Sequence, residues 1–310
     1  DESLKPTIYA NFQYTRDSAL FWYSREVEMD VKHRVPKKVR VGSFEIGGGA
    51  PLALIAGPCV IESEQIVMQI AAALKELSAR FEIRVIFKAS YDKANRTSHL
   101  SFRGPGLIKG LEMLKKVREE FELPVLSDVH RFEEISPAAE VLDVVQVPAF
   151  LCRQTDFVME IARQAKVVNI KKGQFIAPWD AIHIAEKAAA AGNENILLTE
   201  RGVFFGYNNL VVDFRSLPTL RETGYPVIFD ATHSVQLPGA AGNASGGDRR
   251  MVPYLARAAV AAGVDGLFFE VHPDPDRALS DGPNSLALET LPALLATLKK
   301  IDGVVRPELF

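Results

Sequence analysis

The sequence predicts an α/β protein of the (β/α)8 or TIM-barrel class, and three observations lead to that prediction. From Pro51 onward, short apolar or β-branched runs alternate with longer stretches of helical period. About eight such runs occur, the number of strands that closes a parallel barrel. The runs are mainly apolar, with polar residues collected towards their ends instead of alternating along them, as expected of parallel strands that helices cover.

The predicted strands lie at residues 52–56, 85–89, 124–128, 144–147, 167–170, 196–199, 227–230 and 266–270. Helical period is clearest at residues 64–77, 107–121, 180–191 and 252–262, and the last of these stops at Gly263 as a C-cap would. An open, doubly wound sheet is the alternative. The first strand-to-helix turn, Ala56-Gly-Pro-Cys59, lacks the dinucleotide fingerprint of that class, so the barrel is favoured.

The first fifty residues follow a different pattern. Residues 39–46, followed by Gly47-Gly-Gly49, predict a short β-hairpin that leads into the first strand and lies at the bottom of the barrel. Residues 1–36 mix charges with aromatic residues and are too aromatic for a typical disordered tail. We therefore expect an N-terminal extension of unknown role at residues 1–36 and a single catalytic barrel domain, with its hairpin, at residues 37–310.

The composition is that of a soluble globular protein, with 47% hydrophobic and 24% charged residues among 310. A net charge of -3 argues against a general role in binding nucleic acid or membrane surfaces. No apolar segment reaches the roughly 18 to 20 residues that span a bilayer. Two cysteines form no disulfide framework in a chain of this size, which favours a reducing compartment, so a cytoplasmic location is expected.

Polar side chains collect at the ends of the predicted strands, where a barrel enzyme has its active site. In strand order they are Cys59; Lys88, Lys93 and Arg96; Asp128 and His130; Gln146; Lys171 and Lys172; Glu200 and Arg201; Asp230 and His233; Glu270 and His272. Cations that converge on one rim of a slightly acidic protein predict a substrate with phosphate and carboxylate groups. The alternative is that these cations pair only with Asp128, Glu200 and Glu270.

Four of the chain's residues have the chemistry of ligands for a divalent metal: Cys59, His233, Glu270 and Asp281. They are scattered along the chain, so no spacing motif supports a site. A cysteine after a strand is more often a small buried apolar residue, and the residue types alone favour that interpretation of Cys59. Cys152 lies in an apolar loop beside Phe150 and Leu151 and is interpreted as packing.

From Lys88-Ala-Ser-Tyr-Asp-Lys-Ala-Asn-Arg-Thr-Ser98 onward, the sequence resembles the 3-deoxy-D-manno-octulosonate 8-phosphate (KDO8P) synthases, also called 2-dehydro-3-deoxyphosphooctonate aldolases. The likeness continues through Ser127-Asp-Val-His130, Asn169-Ile-Lys-Lys172, Phe229-Asp-Ala-Thr-His233 and His272-Pro-Asp-Pro275. It covers nearly all of residues 39–303. An ordered series of motifs along so much of the chain is highly specific.

The resemblance implies a homotetrameric TIM-barrel transferase of lipopolysaccharide biosynthesis. Such enzymes condense phosphoenolpyruvate with D-arabinose 5-phosphate and water, and they release inorganic phosphate. No Schiff-base lysine takes part, so the lysines are expected to act as electrostatic clamps.

The resemblance also implies roles for individual residues. Those expected to hold the phosphate and carboxylate of phosphoenolpyruvate are Lys88, Ser90, Lys93, Gln146, Lys172 and Arg201. Asn95, Arg96 and Thr97 are expected to contact the arabinose 5-phosphate, and Arg153 would reach its phosphate across a subunit boundary. Phe150 is also expected to bind substrate. Asp128 and His130 are expected to line the site and position the reacting groups.

The family contains metal-dependent members with Cys at the position of Cys59 and metal-independent members with Asn there. This chain has Cys, and His233, Glu270 and Asp281 match the other ligands. The resemblance therefore favours one bound divalent ion, Fe²⁺, Zn²⁺, Mn²⁺ or Co²⁺, and no organic cofactor. His233 is then both a ligand and a catalytic residue.

Two alternatives stay open at this point. The related heptulosonate phosphate (DAHP) synthases use erythrose 4-phosphate and typically show Lys-Pro-Arg-Thr where this chain has Lys93-Ala-Asn-Arg-Thr97, so Asn95 favours the octulosonate reaction. A barrel that binds a phosphorylated metabolite without catalysis is the other alternative.

Overall fold

The computed structural model of the protein describes residues 34–240 and 245–310. The predicted N-terminal extension therefore lies almost wholly outside the described residues, and the domain division at residue 36 stays a prediction. None of the helices in the described ranges is both long enough and apolar enough to cross a membrane.

The secondary structure of the described residues alternates strands and helices. The strands are β1 (Val39–Val41), β2 (Phe44–Ile46), β3 (Ala53–Gly57), β4 (Arg84–Lys88), β5 (Val125–Asp128), β6 (Val144–Val147), β7 (Val168–Lys171), β8 (Ile196–Glu200), β9 (Val203–Phe204), β10 (Leu210–Val211), β11 (Val227–Asp230), β12 (Gln236–Leu237), β13 (Gly246–Gly247), β14 (Gly266–His272) and β15 (Leu286–Ala287). The helices are α1 (Glu64–Phe81), α2 (Leu107–Phe121), α3 (Phe132–Val141), α4 (Thr155–Gln164), α5 (Ala181–Ala190), α6 (Ser216–Arg221), α7 (Val252–Ala261) and α8 (Leu291–Leu309).

Eight of the strands form a closed parallel barrel. Strands β3, β4, β5, β6, β7, β8, β11 and β14 pair in that order, and β14 pairs in parallel with β3 to close the ring. All eight predicted strands are found, with ends that agree to within two residues. The prediction of a (β/α)8 barrel is confirmed.

Helix α1 shows how the sequence sets these elements. The Ser63 side chain accepts the backbone N–H of Ile66 at 3.3 Å and so caps the first turn. The apolar stripe of the helix is buried, and it comprises Val67, Ile70, Ala71, Leu74 and Leu77. The helix ends where Glu82 adopts a left-handed conformation with φ 49°.

The barrel interior is apolar at the N-terminal ends of the strands. Inward-facing side chains such as Ile55, Ile86 and Phe268 form one buried cluster there. The antiparallel hairpin β1–β2 adds Val39, Val41 and Ile46 to the same cluster, so it closes the bottom of the barrel. The predicted hairpin is confirmed, and the open polar end is the opposite one.

Candidate active site

A cavity of about 190 Å³ lies at the C-terminal ends of the barrel strands. Its lining includes five cationic side chains, Lys88, Lys93, Arg96, Lys171 and Arg201. It also includes Asn95, Thr97, Asp128, His130, Gln146, Phe150, Gln174, His233 and Asp281. Most of the site residues expected from the sequence are thus brought together around one space.

Strand β7 directs Lys171, not Lys172, into this cavity. Side chains alternate along a strand, and Val167 belongs to the inner cluster whereas Val168 and Ile170 belong to the outer one. Lys171 therefore points inward and Lys172 outward. The expected placement of Lys172 in the substrate cavity was wrong for this reason.

Lys172 instead lines a separate cavity of about 760 Å³. Its Nζ donates to the backbone oxygen of Ile176 at 3.0 Å and lies 3.4 Å from Oε2 of Glu200. Both charged side chains are only 2% exposed. The contacts of Lys172 are those of a buried structural ion pair.

Lys171 is held among charged and aromatic groups. Its ammonium donates to Asp230 and lies 3.4 Å from the centroid of the Phe268 ring. Burial lowers the pKa of Lys171 to about 8, with Arg201 and Lys88 acting in the same direction and Asp230 opposing them. A bound anion would therefore be favoured beside this ammonium.

Glu270 is fully buried behind the cavity floor, where it contacts two lysines that line the cavity. Lys88 Nζ donates to Glu270 Oε1 at 2.8 Å and to the backbone oxygen of Cys59 at 2.9 Å, and Lys93 Nζ lies 3.8 Å from the same Glu270 oxygen. Burial acts to raise the pKa of Glu270, but the charges of His233, Lys88 and Lys93 outweigh it and hold the pKa well below its usual range. Glu270 is therefore an anion.

Cys59, Glu270 and Asp281 lie close enough to hold one ion, since one ligand atom from each falls within 4.8 Å of the others. Two residues before Cys59, Gly57 lets β3 approach the backbone of β4 closely, because a Cβ there would lie 1.9 Å from the carbonyl oxygen of Lys88. His233 Nε2 lies 3.5 Å from Glu270 Oε1 and 3.8 Å from Asp281 Oδ2.

The donor set fits a divalent cation. Burial, followed by the negative charges of Asp281 and Glu270, raises the pKa of the Cys59 thiol well above its usual value. Oε2 of Glu270 is buried, and no hydrogen-bond partner for it is found among the described residues. A cation here would satisfy that oxygen and offset the repulsion between the two carboxylates and a thiolate.

Asp128 and His130 form a second acidic and basic pair in the wall. Asp128 Oδ1 accepts from Ser90 Oγ at 2.5 Å, and Asp128 Oδ2 lies 3.0 Å from His130 Nε2. Ser90 is fully buried and does not line the cavity, so it contacts Asp128 from behind. Burial acts to lower the pKa of His130, but Asp128 and Glu134 outweigh it and raise the pKa above its usual value.

Replacing His130 by Gln is expected to lower the free energy of unfolding most at low pH. Because the pKa of His130 is higher in the folded than in the unfolded protein, protonation of His130 favours the folded state. This stabilisation is complete below the unfolded-state pKa of about 6.5 and disappears as pH rises through the folded-state pKa. Urea unfolding of both proteins across that range measures the effect. The control is His183→Gln, because His183 pairs with Glu186 at the surface with 70% of its side chain exposed. A His130→Gln difference that is constant with pH would contradict the prediction.

The remaining expected residues divide between the mouth and the surface. Asn95, Arg96, Thr97 and Phe150 line the mouth, where Arg96 NH1 donates to Ser280 Oγ at 2.6 Å. Arg153 is exposed and does not line the cavity of its own chain. Sequence reasoning named Lys171 at a strand end without assigning it to the substrate. Asn169 points into the barrel, where its Nδ2 donates to Gln146 Oε1 at 2.9 Å. Because side chains two residues apart on a strand share one face, this residue was the signal that Lys171 also points inward.

A parallel barrel with five cations around a small polar cavity at its C-terminal mouth defines the class of protein: an enzyme barrel built for small anionic metabolites. A family model described as the DAHP synthetase I family matches residues 28–306. The chain belongs to that family.

Curated relatives are similar to the chain over most of its length. A 2-dehydro-3-deoxyphosphooctonate aldolase of Geotalea uraniireducens (strain Rf4) is 64% identical over 270 residues, which is 87% of this chain and 99% of that protein. Proteins of the same name from Geotalea daltonii and Geobacter sulfurreducens are 62% and 59% identical over the same shares of each chain. The resemblance drawn from the motifs is confirmed.

Proposed function

We propose that the protein is a 3-deoxy-8-phosphooctulonate synthase. It condenses phosphoenolpyruvate with D-arabinose 5-phosphate and water to give 3-deoxy-D-manno-octulosonate 8-phosphate and inorganic phosphate. The observation that carries the proposal is the identity of 59–64% over 87% of the chain with proteins named for this product. The cationic cavity supports it, because both substrates are phosphorylated and one also carries a carboxylate.

The buried cations of the cavity floor suit phosphoenolpyruvate. We assign its phosphate and carboxylate to Lys88, Lys93, Lys171 and Arg201, with Gln146 beside them, and Lys171 takes the part expected of Lys172. Arg201 supports this assignment, because its NH2 donates to Gln236 at 3.0 Å while its buried NH1 has no partner among the described residues. Fixed cations in a site that excludes water stabilise developing negative charge without reorganisation.

The more exposed mouth suits the sugar. Asn95 and Thr97 are exposed and Arg96 is half-buried, so a hydroxylated chain with a terminal phosphate can contact all three. The exposed side chain of Arg153 supports the assignment of this residue to the sugar phosphate of a neighbouring subunit in a homotetramer. The two substrates would then meet between the floor and the mouth, with the phosphoenolpyruvate methylene carbon facing the sugar aldehyde.

The lysines act in this scheme as charges. Lys88 Nζ donates to Glu270 and to the Cys59 carbonyl, so two of its three protons are engaged with acceptors. Asp128 and His130 face the cavity as a hydrogen-bonded pair, which is suited to orienting a water or a sugar hydroxyl.

We assign a divalent metal to Cys59, His233, Glu270 and Asp281. When bound, such an ion would polarise the sugar aldehyde or organise a water. The grouping of Cys59, Glu270 and Asp281 supports this assignment, and His233 would add an imidazole to their sulfur and carboxylate donors. A mixed donor set of this kind suits Fe²⁺, Zn²⁺, Mn²⁺ or Co²⁺. Free buried Cys59 and Cys152 support a reducing, cytoplasmic setting.

Phosphate release from phosphoenolpyruvate tests this function. We expect release with arabinose 5-phosphate, loss of release after chelation, and recovery when a divalent metal is added back. Equal or faster release with erythrose 4-phosphate would indicate the heptulosonate reaction instead. If no phosphate is released with either sugar, the protein binds a phosphorylated metabolite without catalysis. Full activity in a metal-free preparation would contradict the assigned metal.

A further inference from the structure

Asp230 occupies an unusual position at the end of β11. It is 0% exposed and does not line the cavity. Both of its carboxylate oxygens nevertheless accept hydrogen bonds from residues that line the cavity. Oδ1 accepts from Thr232 Oγ1 at 3.0 Å and from the backbone N–H of His233 at 2.9 Å. Oδ2 accepts from His233 Nδ1 at 2.7 Å and also from the Lys171 ammonium. One carboxylate oxygen is thus shared by the imidazole and the ammonium.

The bond to His233 fixes which ring nitrogen is free. A carboxylate only accepts, so His233 Nδ1 carries a proton, and Nε2 is the ring nitrogen left to bind a metal. That nitrogen is the one near Glu270 and Asp281, at 3.5 Å and 3.8 Å. The backbone bond from the same residue to Oδ1 holds the ring from a second direction.

The bond to Lys171 fixes the anion site on the other side. Lys171 lies between Asp230 and the ring of Phe268, with its side chain 6% exposed. Without the carboxylate, this buried ammonium would lose its acidic partner and turn toward other acceptors.

We propose that Asp230 is a positioning residue that sets His233 Nε2 for the metal and the Lys171 ammonium for the substrate anion, and so couples the two halves of the site. The proposal rests on the proposed function for the identity of the two sites. It predicts that one buried side chain, without contact to either ligand, controls the affinity of both.

The test is Asp230→Asn, which keeps the size of the side chain but removes its charge and leaves one oxygen for the four donors that the carboxylate accepts. We expect the dissociation constant for Co²⁺, measured by competition with a chromophoric chelator, to rise about 10- to 100-fold. The thiolate-to-Co²⁺ absorption band should shift, and phosphoenolpyruvate should bind the metal-free variant more weakly in calorimetry. None of these readouts needs turnover, so failure of the proposed reaction would not affect them.

Two comparisons make the result specific. Asp213→Asn is the matched control, because Asp213 pairs with Arg215 at the surface, and it should leave both affinities unchanged. Lys171→Met should weaken phosphoenolpyruvate binding but leave Co²⁺ affinity near that of the wild type. Unchanged Co²⁺ and phosphoenolpyruvate affinities in folded Asp230→Asn would overturn the proposal.

A measurement on the wild type covers the case in which Asp230→Asn does not fold. In the Zn²⁺-loaded protein with ¹⁵N-labelled histidine, His233 should show a proton on Nδ1 that is protected from exchange. The signal is assigned by its loss in His233→Gln. A His233 ring protonated on Nε2, or an Nδ1 proton that exchanges freely, would overturn the proposal.

Discussion

Glu270→Gln is expected to abolish metal binding and turnover and to lower the free energy of unfolding of the metal-free protein by about 3–5 kcal/mol. Glu270 is 0% exposed and accepts from Lys88, which is 1% exposed, at 2.8 Å. Removing the negative charge leaves a buried ammonium without its acidic partner, and Lys93, 3.8 Å from the same oxygen, loses its partner too. Urea unfolding in the presence of chelator measures the stability, and competition with a chromophoric chelator measures the metal.

Two further variants separate the charge effect from a simple packing effect. Glu289→Gln changes an exposed glutamate and should leave the free energy of unfolding within about 0.5 kcal/mol of the wild type. Lys88→Met added to Glu270→Gln removes the stranded cation, so the double variant should recover part of the lost stability. A stability loss for Glu270→Gln no larger than that of Glu289→Gln would contradict the argument.

Lys171→Met is expected to lower kcat/KM for phosphoenolpyruvate by about 100-fold or more, the usual cost of removing one fixed charge or donor from such a site. Lys172→Met should change kcat/KM by only a few-fold, because Lys172 bonds to Ile176 and Glu200 away from the cavity. Its effect should appear as lower stability, since Glu200 would be left buried without its cation. Steady-state kinetics and urea unfolding of both variants measure the contrast.

The pair of lysines makes this comparison decisive. The two substitutions are chemically identical and lie one residue apart, so differences in expression or general packing do not explain opposite outcomes. A large kinetic loss for Lys172→Met with little loss for Lys171→Met would contradict the placement of these side chains.

The barrel could be predicted in detail because its strands obey simple burial rules. Most strand residues are apolar on both faces and each strand is followed by a turn or loop, so residues 52–56 or 144–147 are recognisable without any knowledge of their neighbours. The hairpin β1–β2 was predictable for a different reason, since its short run of residues is followed by three glycines, which signal a strand end. Residues 1–33 lie outside the described residues, so the prediction for them is not compared with the structure.

The site was predictable only in part. Spacing gives no hint that Cys59 and Asp281 share a point in space, because they follow strands at opposite ends of the chain that become neighbours only when the barrel closes. The resemblance located the pair Lys171 and Lys172 but named Lys172, which does not line the cavity, and not Lys171, which does. Which of two adjacent residues faces inward depends on the strand register, and Asn169 was the residue that set it.

The hairpin at the bottom of the barrel has a consequence for the order of events in catalysis. Because Val39, Val41 and Ile46 seal the lower end, the cavity communicates with solvent, within the described residues, only through its mouth. The floor cations Lys88 and Lys171 are 1% and 5% exposed, whereas Asn95 at the mouth is open to water. A molecule seated at the mouth blocks the path to the floor. In the proposed reaction, we therefore expect phosphoenolpyruvate to bind before the sugar.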